Sequence, residues 1–136
     1  MARGGPDGVL MIQVAVTVEN EPIVPEPATE EAAGAVGSVI TTAQDWVELA
    51  KWTIPAGKVG ELKEILIISE DYARTYAKIT IGDITWCNNW SPTSSMPLIF
   101  EDLKLSAGQE VIVEIKVTDT VDIEVNAIIV GKEIGL

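Results

Sequence analysis

The sequence predicts an all-β protein, an antiparallel β-sandwich preceded by an extended N-terminal arm. Three observations carry that expectation. Apolar residues recur with a period of two along several segments, as in 111-VIVEIKVTDTVDIEVNAIIV-130. Turn residues separate these segments at short, regular intervals. Two of the turns also share one design: 52-WTIPAGKVGELKEILI-67 and 103-LKLSAGQEVIVEI-115 both run from an apolar strand through a small-residue turn with glycine and a charged residue into a second apolar strand.

Residues 1–8, MARGGPDG, form an irregular start. Residues 9–18 then alternate, with Leu10, Ile12, Val14, Val16 and Val18 on one side and Val9, Met11, Gln13, Ala15 and Thr17 on the other. This pattern predicts a strand with one buried face. The next stretch, 19-ENEPIVPEPATEEAAGAVGS-38, holds three prolines and five glutamates and no basic residue. Proline removes backbone donors and the carboxylates repel one another, so it reads as an extended, solvated linker with at most a weak helix over 29–36. The chain therefore divides into an arm, 1–44, and a sandwich domain, 45–136.

Within the sandwich seven strands are expected, near 46–54, 62–69, 74–81, 84–90, 97–103, 110–118 and 121–131. Pro55 ends the first because it cannot donate to a ladder, and Gly57 permits the reversal that follows. The last two strands read as a hairpin, with Val111, Val113, Ile115 and Val117 facing the core beside Val121, Ile123, Val125, Ala127 and Ile129. The strand pattern fits a jelly roll or another Greek-key sandwich equally well.

Composition narrows the function classes. The 136 residues include nine Lys and Arg against 21 Asp and Glu, a net charge of −12. Nucleic acid and anionic membranes are poor partners for such a chain, because phosphate binding relies on clustered cations. Histidine is absent, which removes the commonest general base and metal ligand. The lone Cys87 has no partner for an intramolecular disulfide and no histidine to activate it; it reads as a small buried apolar residue. The acidic pairs Glu70-Asp71, Glu101-Asp102 and Asp119 with Asp122 read as solvated turn residues, since neighbours on a strand diverge rather than converge. A cation held by Asp119 and Asp122 would lack a recognisable binding-loop spacing. No catalytic residue, cofactor site or metal site is expected.

The stretch 84-ITWCNNWSPTSSMP-97 is the candidate ligand surface. Regular alternation would place Trp86, Asn88 and Trp90 on one strand face, a platform on which a sugar ring could stack. The alternative is structural: Trp86 in the core and Trp90 at a contact between protomers. Trp46 and Trp52 read as core or interface residues.

A compact domain opened by Trp52-Thr53-Ile54-Pro55-Ala56-Gly57-Lys58, carried by short strands to Val130 and preceded by the arm strand Val9–Val18, resembles the small decoration (cement) proteins of tailed viruses. The resemblance implies a jelly-roll-like sandwich that binds the outer capsid surface of a virion such as a bacteriophage. It implies a homotrimer, with the major capsid protein as partner, and a shell reinforced by bridging neighbouring subunits. It supplies no catalytic residue. On that reading Leu10, Ile12, Val14, Val16 and Val18 are the partner-contact residues of the arm. Their burial would contribute on the order of 1.5–3 kcal/mol each before ordering costs.

Overall fold

The computed structural model describes residues 29–118 and 121–136; the arm strand expected at 9–18 lies outside them. Eight strands follow in order: β1 (Glu30–Thr41), β2 (Val47–Thr53), β3 (Lys58–Ser69), β4 (Thr75–Ile81), β5 (Ile84–Trp90), β6 (Leu98–Leu105), β7 (Glu110–Val117) and β8 (Ile123–Gly135). A short 3₁₀ turn, Tyr72–Arg74, links β3 to β4. The strands form two four-stranded antiparallel sheets, ordered β1-β8-β3-β6 and β2-β7-β4-β5. That interleaving is the strand order of an eight-stranded jelly roll, in which successive strands mostly switch sheets.

The seven strands expected from residue 45 onward all form, and the first strand of the roll comes from an unexpected place. Residues 30–41, read as linker or weak helix, make β1 and pair with β8 from Glu30↔Ile134 to Thr41↔Ile123. The sandwich therefore begins at Glu30 rather than at residue 45. The alternation was hidden because the inward positions are small: Ala33, Ala35, Gly37 and Val39. Small side chains are what this strand requires, because β1 lies close to β2. A Cβ on Gly37 would overlap the carbonyl oxygen of Leu49.

The expected hairpin of the last two strands does not form. β7 pairs with β2 and β4 in the second sheet, whereas β8 pairs with β1 and β3 in the first. Alternation identifies which face of a strand is buried, not which neighbour it bonds to. The inward residues of the two strands meet across the core instead of side by side. Val111, Val113, Ile115, Val125 and Ala127 have no solvent exposure. Val121, expected inside the strand, is exposed in the connection that crosses between sheets.

Both glycine turns of the shared design also cross between sheets, and they dock on one another. Ile54 N donates to Gln109 O (2.9 Å) and Gly108 N donates to Ile54 O (2.8 Å). Lys58 N closes the first turn onto Pro55 O (3.3 Å), and Leu136 N bonds to Gly57 O (3.0 Å). At the opposite end, the hydroxyls of Ser69 and Thr75 hydrogen-bond at 2.7 Å. Asp71 N donates to Ser69 Oγ and Thr75 Oγ1 to Asp71 O, so the buried polar groups of this corner satisfy one another.

Trp52 is the centre of the core at the β1/β2 flank. It is buried, and its indole lies against Gly131 of β8, with Gly60 of β3 beside it. Its Nε1 donates to Glu133 at 2.8 Å. The expectation of a core role for Trp52 holds. Trp46 instead lies half-buried on the outer side of the second sheet, under the ammonium groups of Lys116 (4.7 Å to the ring centre) and Lys78 (5.2 Å). Contacts of this kind contribute about 0.5–1 kcal/mol each at exposed sites.

Candidate partner-binding surface

The flank opposite Trp52 is formed by the two remaining edge strands, β5 of the second sheet and β6 of the first. Both are irregular. β5 leaves β4 through the two-residue turn Gly82-Asp83, where Ile81 faces Ile84 and Gly82 has φ +62°. Glycine at this first central position suits a tight hairpin turn. Two bulges follow within seven residues, since β5 pairs with β4 at Thr80↔Thr85, Ile79↔Cys87 and Ala77↔Trp90. Asn89, in the second bulge, is the only non-glycine with positive φ among the described residues (59°). Asparagine tolerates this left-handed conformation better than most residues. β6 is interrupted likewise, with its pairing to β3 jumping from Leu62↔Leu103 to Glu64↔Ile99.

The bulges re-aim the side chains that regular alternation would have aligned. Trp86 falls in the first bulge, is 52% exposed, and stands edge-on to Phe100 of β6 at 5.3 Å and 80°. Trp90, opposite the buried Ala77, packs half-buried against the core. Asn88 is exposed. Trp86 and Trp90 therefore do not make one platform. They line two separate hollows that share Leu98 as a common wall. The structural alternative is inverted as well: Trp90 is the one seated on the core and Trp86 the one presented to solvent.

The first hollow, about 160 Å³, is lined by Ile79, Trp86, Cys87, Leu98, Ile99 and Phe100. The second, about 90 Å³, lies between Trp90 and the loop carrying Thr93, Ser94, Met96 and Pro97. Around them Ile84, Met96 and Ile99 are each more than 60% exposed. The side chains that line the first hollow are apolar apart from the Trp86 indole N–H and the Cys87 thiol, whose pKa is raised because burial disfavours the thiolate. No charged side chain is among them. The hollow suits an apolar side chain arriving from elsewhere, with an aromatic wall on one side.

Of the acidic pairs, Glu70-Asp71 has structural partners. Glu70 Oε1 accepts from the backbone N–H of Glu124 (2.9 Å), and Asp71 pairs with Arg74 (3.1 Å). Asp119 lies outside the described residues. Among the described residues no group of three or more potential ligands could hold a metal ion.

Sequence reasoning singled out Trp86 but missed Phe100, Leu98 and Ile99, which complete its surroundings. Local pattern contains no signal for them, because the two walls come from strands in different sheets.

Comparison of the chain with protein-family models, with curated proteins and with solved structures returned no match.

Proposed function

We propose that the protein is a structural, non-catalytic component of a virion surface. On this reading it binds the outside of a capsid as a homotrimer and stabilises the shell by bridging neighbouring major capsid protein subunits. The observation that carries the reading is a surplus. Residues 30–135 supply all eight strands of the roll, so the roll is complete without the segment Val9–Val18, whose alternation predicts a further strand. On this reading that segment is a contact element. Leu10, Ile12, Val14, Val16 and Val18 supply its apolar face. The rim around Trp86, Ile99 and Met96 adds a second apolar contact of the kind that marks protein interfaces. Further support is the resemblance of the Trp52–Lys58 turn and the arm-plus-sandwich layout to capsid decoration proteins. The jelly roll also serves lectins and cupins, so the fold alone does not select this role. Repetition over a symmetric shell would turn modest contacts into firm attachment through effective concentration.

The test is light scattering of the full chain, followed by co-sedimentation with assembled empty shells of tailed viruses. A trimer that pellets with shells, and stays in the supernatant without them, is the expected result. A monomer that pellets with none would overturn the reading.

A further inference from the structure

The exposed apolar side chains of the sandwich fall into two groups with different company. Val36 and Ile40, on the outer face of the first sheet, stand among polar neighbours: Ser38 lies between them on β1, and Asn126 and Glu124 lie opposite on β8. Ile84, Trp86, Met96 and Ile99, at the β5/β6 flank, belong to 84-ITWCNNWSPTSSMPLIF-100. This is the longest stretch of the chain without a charged residue. Asp83 and Glu101 bound it, and Glu64, across from Ile99, marks its margin on the first sheet.

We propose that copies of this chain meet through the β5/β6 flank, with Met96 of one protomer seated in the hollow between Trp86 and Phe100 of the next. The inference rests on the homotrimer of the reading above and makes no use of the capsid. Charge is the first reason to choose a second copy as the occupant. Each copy carries a net charge of −12, so two copies repel one another over most of their surface. Screening weakens that repulsion only beyond about 8 Å at physiological salt. Close approach therefore costs least where the surface is uncharged, which is this flank.

The edges themselves give the second reason. Bulges interrupt the pairing of β5 with β4 and of β6 with β3, and such irregular edges are poor templates for an added strand. Contact at this flank is made by side chains, not by extending either sheet. The third reason is that the flank holds both a projection and a recess. Met96 is 69% exposed and edges the smaller hollow, which shares Leu98 as a wall with the hollow of about 160 Å³ beside Trp86 and Phe100. An unbranched methionine adapts to an irregular recess, and its sulfur makes favourable contacts with aromatic rings. A surface whose projection fits its own recess on another copy makes a head-to-tail contact, and repetition of that contact closes a ring. Ile84 and Ile99 then lie around the seated side chain and exclude water from it.

The experiment is light scattering of the full chain over a dilution series, beside Met96→Glu, Ile99→Glu and Val36→Glu. All three positions are exposed, so each substitution adds the same charge without opening the core. The concentration of half-dissociation should rise at least about tenfold in Met96→Glu and Ile99→Glu and stay within about twofold in Val36→Glu. In Met96→Cys, mild oxidation with copper–phenanthroline should link the new thiol to Cys87 of the neighbouring copy, giving covalent dimers and trimers on a non-reducing gel. An oligomer weakened equally by Val36→Glu, or by none of the three, would overturn this contact and leave the homotrimer standing. Disulfides formed only within single chains would do the same. A monomer at every concentration would overturn both.

Discussion

The two flanks of this sandwich solve one problem in opposite ways. Where β1 meets β2, the sheets are brought together by removing side chains: Gly37 lies against the Leu49 carbonyl, and Gly60 and Gly131 leave room for the Trp52 indole. Where β5 meets β6, bulges on both strands break the ladders, and Trp86 and Phe100 stand beside an apolar hollow. The first flank is filled from within by the Trp52 indole, and the second keeps an open hollow of about 160 Å³. Closure through glycine makes a flank intolerant of added volume. Opening through bulges makes it tolerant of substitution and available for contact.

Trp52→Ala should test this difference most severely. Removing a buried indole together with its hydrogen bond to Glu133 is expected to cost about 4 kcal/mol, read as a lowered urea midpoint. Gly131→Ala comes next, at about 2–3 kcal/mol, because the new Cβ would approach both the Glu61 carbonyl oxygen and the Trp52 ring to 2.6 Å. Combining Gly131→Ala with Trp52→Ala should cost less than the sum, since the ring it collides with is gone. Full additivity would mean that the glycine is not there to accommodate the indole.

At the open flank Trp86→Ala should cost less than about 1 kcal/mol of folding stability, given its exposure, while weakening, on the proposed homotrimer reading, the self-association measured by light scattering. A loss comparable to that of Trp52→Ala would show that the hollow is part of the core. The smallest effect expected is chemical. Burial raises the Cys87 pKa, so less thiolate is present at pH 8 than for a free cysteine. Alkylation should be slower there, and its rate should still be climbing at pH values where free cysteine has levelled off. Filling the hollow with an apolar partner should slow it further.

How legible these flanks were in the sequence follows from how local their causes are. The strands from 45 onward were readable because each carries its own alternation and its own turn residues. β1 was not, because the small residues that let it approach β2 erase the contrast that period-two reading depends on. Trp86 was readable as a candidate contact residue, but its separation from Trp90 was not. Nothing in ITWCNNW announces two bulges, which arise from pairing with β4.

The sequence by itself determined the all-β class, most strand positions, the inward sets of β7 and, apart from Val121, of β8, and the absence of histidine chemistry. Those properties depend on neighbours along the chain and on composition. Only the tertiary structure decided that β7 and β8 face each other across the core, that the linker supplies the first strand of the roll, and that one flank is sealed while the other is open. Those outcomes depend on which strands pair, and pairing joins residues far apart in sequence through backbone hydrogen bonds that are the same for every side chain.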